Sequence, residues 1–121
     1  MTVFDQYFTF WDAALIDESA LEALIDLFAD GAVVKSAQGE VSDVTVLKMG
    51  IKATLQNYVS MKHVWHTTQT DTGFRATWAV VHELKTGEMH AAVGMDLIEL
   101  DGSGKIKFLE IIPEQNITKK I

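Results

Sequence analysis

Asp96 is the residue in this sequence whose type and setting most directly predict chemistry. When the strands around it are paired as set out below, it is the one acid in an otherwise apolar stripe. A carboxyl kept from water has a raised pKa and can serve as acid, base or hydrogen-bond donor near neutrality. His63 and His66 form an H-x-x-H pair, but an odd spacing on a strand sends the two side chains to opposite faces. A shared metal ion is therefore not expected, and at most one of them enters a pocket. His82-Glu83-Leu84 lacks the second histidine of a zinc-peptidase motif, and Ser36 has neither a G-x-S-x-G setting nor a base nearby. With no cysteine, thiolate nucleophiles, thiolate zinc sites and disulfides are all absent. No glycine-rich phosphate loop occurs, so no nucleotide cofactor is expected. Asp96 thus points to acid/base proton transfer as one candidate chemistry, with no metal and no cofactor expected.

The elements that must position these residues fall into two blocks. Phe4, Tyr7, Phe8, Trp11, Ala14 and Leu15 recur at helical spacing and predict a first helix over about residues 3–16. Ser19 and Glu22 read as a capping box for a second helix carrying Leu21, Leu24, Ile25, Leu27 and Phe28, with Gly31 as its C-terminal left-handed residue. Ala32–Ser36 reads as a short strand. Ser42 or Asp43 caps a third helix running to about residue 59. From His63 the pattern becomes strands 63–70, 75–84, 89–100 and 105–112, divided by short turns that imply antiparallel hairpins. Helices first and a meander after them indicate an α+β domain, with three helices on one face of a curved antiparallel sheet.

Turn residues suggest the register. Pairing Lys85 with Glu88 places Val81 opposite Ala92, Ala79 opposite Gly94 and Thr77 opposite Asp96. Pairing Leu100 with Lys105 adds Leu109 and Ile111 to the same face, and pairing Thr70 with Arg75 turns His66 inward opposite Ala79. A one-residue change would select His63 with Trp65 instead. The expected pocket face is thus Ala79, Val81, Ala92, Gly94, Asp96, Leu109 and Ile111, with Tyr7, Trp11, Phe28 and Tyr58 as aromatic lining for a small apolar molecule. The opposite face collects Trp78, Val80, Val93, Met95, Leu97, Phe108 and Ile112, with Glu110 and His82. His82 and His90 are expected at the surface or an interface, His90 paired across the hairpin with Glu83. Antiparallel sheets normally leave one face polar, so a second apolar face predicts a homodimer through the outer sheet surface.

A chain of 121 residues with 48% apolar composition fits a single domain over residues 1–121. Its net charge of −7 is uneven: residues 1–34 hold seven carboxylates and no Lys or Arg. An acidic chain without a basic stripe is not expected to bind nucleic acid. No apolar run reaches the ~18 residues of a membrane span. The first residues carry Asp5 and Asp12 and lack the basic start of a signal peptide. A cytoplasmic location is therefore expected, and the sequon Asn116-Ile117-Thr118 is incidental.

Two strings sharpen this reading: Leu21-Glu22-Ala23-Leu24-Ile25-Asp26-Leu27-Phe28-Ala29-Asp30-Gly31-Ala32-Val33-Val34, and Met95-Asp96-Leu97-Ile98-Glu99-Leu100-Asp101-Gly102-Ser103-Gly104-Lys105-Ile106. With the order of elements, they resemble the SnoaL-like, NTF2-like superfamily that includes ketosteroid isomerases. The resemblance covers nearly the whole chain and implies a cone, a curved sheet wrapped on three helices around a pocket. Ketosteroid isomerases use a carboxylate base, a tyrosine and a protonated aspartate, an arrangement that is a standard illustration of pKa tuning. Ungapped matching puts Ser36, Asp12 and Asp96 at those three positions, so only the aspartate is retained and steroid isomerisation by that route is disfavoured. The resemblance implies that Asp12 approaches Asp96, and that His66, on a strand where SnoaL-like enzymes often place a histidine, is its acid/base partner. Asp96, His66 and Asp12 are accordingly the candidate catalytic residues. The implied activities are isomerisation, dehydration or cyclisation, with a non-catalytic ligand-binding or accessory domain as the alternative.

Overall fold

Helix starts in this chain are set by side-chain oxygens that reach otherwise free backbone N–H groups. The computed structural model describes residues 2–114 and 119–120, so the sequon at 116–118 lies outside the described residues. In helix α1 (Val3–Ala14), Thr2 and Asp5 form a reciprocal capping box, and Phe4, Tyr7, Phe8 and Ala14 make up its buried stripe. Helix α2 (Glu18–Ile25) starts earlier than the Ser19 box predicts, because Asp17 Oδ1 accepts from the Ser19 backbone N–H at 2.9 Å. Glu22 is turned instead to Lys48 on helix α3 (Val44–Leu55), which Asp43 caps through the N–H groups of Thr45 and Val46. Helix α3 ends at Leu55 and not near residue 59, since Tyr58 already begins a strand. No helix among the described residues is long and apolar enough to cross a membrane.

The strands are β1 (Phe28–Ser36), β2 (Gly39–Val41), β3 (Tyr58–Gln69), β4 (Gly73–Leu84), β5 (Met89–Leu100), β6 (Ile106–Pro113) and β7 (Lys119–Lys120). They form one sheet in the order β2-β1-β6-β5-β4-β3, with β7 paired to β5. The pair β1–β6 is parallel, so the curved sheet is mixed where a wholly antiparallel one was expected. Strand β1 also begins four residues earlier than predicted. Gly31, at φ +74°, falls at a break in the β1–β6 register between Phe28 and Val33, and does not end α2. The core lies between the helices and the inner sheet face, where Phe4, Phe8, Leu24, Ile98, Ile106 and Leu109 are fully buried.

Three hairpins depart from the expected register, with different consequences. Between β4 and β5 the loop holds three residues, Lys85-Thr86-Gly87, with Gly87 at φ +91° and the Leu84 N–H bonded to the Glu88 carbonyl. The pairing becomes Trp78 with Gly94, Val80 with Ala92 and Ala76 with Asp96, a slip of one residue that exchanges the faces of β4. Between β5 and β6 the slip reaches two residues, helped by a bulge between Glu99 and Leu100, so Asp96 faces Ile111 and Ile98 faces Leu109. A two-residue slip leaves the faces unchanged. The β3–β4 pairing also moves by two, which keeps His66 beside Thr77 on the outer face and sets His63 beside Val80 on the inner one.

Candidate functional site

The inner face of β4 and β5 builds the deepest polar feature of the molecule. Trp78 lies opposite Gly94, and a Cβ at that glycine would come within 2.5 Å of the Trp78 ring and 3.0 Å of the Ile112 carbonyl oxygen. Glycine thus lets the indole lie across β5 and donate from Nε1 to Asp96 Oδ1 at 2.9 Å. Asp96 is 2% exposed, and burial pushes its carboxyl up to about 7 against the pull of the Trp78 hydrogen bond. Such a group is poised to hold or release a proton at neutral pH. Burial also raises the Tyr7 hydroxyl, helped by the nearby Asp96 charge, so Tyr7 stays a phenol.

The second polar feature arises where a helical period meets a strand period. Asp5, Phe8 and Asp12 lie on one side of α1, three and four residues apart, over Trp65 and His63, which are two apart on β3. Asp5 Oδ1 accepts from Trp65 Nε1 at 2.8 Å, and Phe8 stacks on Trp65 with ring centres 5.1 Å apart. Asp12 holds His63 at two points, with Oδ2 accepting from the His63 backbone N–H at 2.9 Å and Oδ1 lying 2.6 Å from Nδ1. Facing a carboxylate, Nδ1 is the donor nitrogen, which leaves Nε2 as the acceptor. The His63 and Asp12 side chains are only 12% and 14% exposed.

Asp96 and His63 line the same cavity, of about 180 Å³, together with Tyr7, Phe8, Trp11, Trp78, His82 and Ile111, among others. Thr54, Tyr58, Met61 and Val80 complete its wall. Several sequence expectations need correction. His66 is exposed on the outer face, because β4 presents its even-numbered residues to the helices and His66 pairs with Thr77. Ala79 and Val81 go to the outer face for the same reason, Val81 being 42% exposed. Phe28 is core, supporting Tyr7 edge-on at 6.5 Å, and Leu109 is core beside Ile98. Ala92 is buried on the inner face but does not line the cavity, while Gly94 acts as the seat of Trp78. Trp78, Val80 and His82, expected outside, line the cavity. His90 bonds to Glu88 at 3.1 Å, where Glu83 was expected as its partner. The signal for Trp78 and His82 was the glycine at the third loop position of Lys85-Thr86-Gly87, which marks a bulged three-residue hairpin. Among the described residues no group of three His, Asp or Glu side chains is placed to hold a metal ion.

The likeness of this chain to known proteins lies in its structure. No family model and no curated protein matches the chain. An NTF2-like protein of unknown function from Exiguobacterium sp. 255-15 superimposes with a TM-score of 0.87 at 27% identity, covering 94% of this chain and 99% of that one. RV0760c from Mycobacterium tuberculosis, solved with estradiol-17β-hemisuccinate, gives 0.77 at 9% identity over 96% of each chain. The Δ5-3-ketosteroid isomerase from Mycobacterium sp. gives 0.72 at 14% identity, covering 91% of this chain and 92% of that one. The chain has the α+β cone fold of the NTF2-like, SnoaL-like and ketosteroid-isomerase-like proteins. A shared fold hosts many chemistries, so function has to be argued from the cavity.

Proposed function

We propose that this chain, as a single NTF2-like domain over residues 1–121, binds a small, largely apolar molecule in the inner cavity and catalyses a cofactor-independent proton transfer on it. The observation that carries this reading is that a desolvated carboxyl, Asp96, and a carboxylate-oriented imidazole, His63, open onto one apolar cavity. Nε2 of His63 takes a proton from a carbon or hydroxyl of the ligand. Asp96 donates to, or shares a proton with, the oxygen on which charge develops. Asp12 is a positioning residue, fixing the His63 tautomer and stabilising the imidazolium formed. Isomerisation, dehydration and cyclisation all fit this division of labour. His66 has no part in it.

The reading can be tested without knowing the substrate. Small cyclic ketones incubated with the protein in D2O are followed by NMR for exchange at the carbons next to the carbonyl. Exchange that is lost in Asp96→Asn and in His63→Gln supports proton transfer. Exchange that both variants retain counts against it. A second reading, ligand binding without catalysis, draws on Ser36, which stands at the resemblance-derived base position and is tied to Gln38 at 3.1 Å. Binding without any exchange would favour it. The outer face, with Val64, Val81 and Val93 exposed, further supports a homodimer through the sheet. Sedimentation should then show a dimer at micromolar concentration that Val81→Glu dissociates. The acidic, cysteine-free composition fits a cytoplasmic setting and no nucleic-acid partner.

A further inference from the structure

The polar groups around the cavity are unequally provided with partners. Asp96 accepts from Trp78, His63 is held by Asp12, and His90 is joined to Glu88. His82 differs from all of these. It lines the cavity, is 8% exposed, and makes no hydrogen bond to any described residue. Its ring is held only by packing, 4.5 Å from Tyr58 and stacked 6.0 Å from His90, centre to centre. A neutral imidazole carries one donor and one acceptor, and the His82 ring nitrogens, which are not among the buried unpartnered atoms, remain accessible to a molecule in the cavity.

The register gives the His82 ring a position. His82 and Trp78 share the inner face of β4, four residues apart, which is about 13 Å along the strand at ~3.3 Å per residue. Between them on β4 lies Val80, with His63 beside it on β3, and both line the cavity. The Trp78 end holds Asp96, and the other end holds His82. The volume, about 180 Å³, suits one ring, since an apolar cavity of about 150 Å³ takes up benzene.

We propose that His82 is a specificity-determining residue, hydrogen-bonding an uncharged oxygen substituent of a single-ring ligand whose opposite edge carries the oxygen presented to Asp96. This rests on the reading of the cavity as a small-molecule site. Burial, with His90 and His63 nearby, holds the His82 pKa below its usual value. A neutral imidazole meets a hydroxyl or carbonyl oxygen without either partner bringing a charge out of water.

The test uses two probes of one shape: 4-hydroxyacetophenone, with oxygens at both ends of the ring, and 4-methylacetophenone, with one. Calorimetry gives the ratio of their dissociation constants. The preference for the hydroxylated probe should fall about three- to tenfold in His82→Phe, which keeps a ring against Tyr58, and should recover in part in His82→Gln. In the wild type, NMR signals of the His82 ring should shift more with the hydroxylated probe than with the methylated one, a readout that needs no variant to fold. If both probes bind and His82→Phe leaves the ratio unchanged, or the ring shifts equally with both, the role of His82 is overturned while the cavity reading stands. If neither probe binds the wild type at millimolar concentration, the single-ring cavity reading fails and the inference falls with it.

Discussion

Asp96 and Asp12 lie on the same side of the sheet in opposite electrostatic settings. Asp96 is almost fully buried, and one indole donates to it. Asp12 keeps partial access to water and grips a histidine through both its backbone and its ring. Desolvation raises the pKa of the first to about 7. Hydrogen bonding makes the second a fixed support for His63. One fold thus gives two identical side chains different work by choosing what surrounds each.

The strongest way to break this contrast is Asp96→Asn, which keeps an acceptor for Trp78 but removes the titration. Any proton-transfer activity should fall by about 10²–10⁴-fold, the usual contribution of a general acid or base, as measured by isotope exchange. Stability should move the other way. Between 3.8, the ordinary aspartate value, and about 7, the native chain keeps a proton that the unfolded chain has lost. The contribution of Asp96 to stability therefore falls as pH rises through that window and is constant above it. The ceiling on this effect is roughly 4 kcal/mol at 1.36 kcal/mol per pKa unit. Denaturant unfolding should accordingly show Asp96→Asn more stable than wild type at pH 8, with the gain shrinking towards pH 4.

Asp12→Ala removes the support from His63 and should cost about 1–3 kcal/mol, because buried donors lose their acceptor. Isotope exchange should fall as well, and Asp12→Asn should retain more stability than activity. Gly94→Ala probes the seat of Trp78. The added methyl would meet both the ring and the Ile112 carbonyl, so a loss of about 1–3 kcal/mol is expected. With the indole displaced, the pH dependence attributed to Asp96 should shift along with it. The smallest effect belongs to His66→Ala on the outer face, within about 0.5 kcal/mol and without change in exchange. A large activity loss there would reverse the assignment of His63 over His66.

Much of this architecture was readable in advance. Helical spacing located α1 through Phe4, Tyr7, Phe8 and Trp11, and the Asp43 cap located the start of α3. The two fold-level strings pointed to the cone. Asp96 remained on the inner face with Leu109 and Ile111 because the β5–β6 pairing moved by two residues, an even number. Parity alone protected that expectation.

The rest turned on one residue in one loop. Composition and periodicity determine that β4 is a strand with two usable faces, since Trp78, Val80 and His82 are about as suited to burial as Thr77, Ala79 and Val81. The residues of the strand itself cannot choose between such faces. The three-residue turn at Lys85-Thr86-Gly87 makes the choice by setting Trp78 against Gly94, the one residue on β5 without a side chain to obstruct an indole. Packing across three strands then brings His63 and His82 inward and leaves His66 outside. The sequence by itself determined which elements form and that Asp96 stands among apolar residues on its own strand, because those follow from spacing along the chain. Which histidines share a cavity with that acid was decided only by tertiary pairing, because strand register exchanges whole faces with a single-residue step.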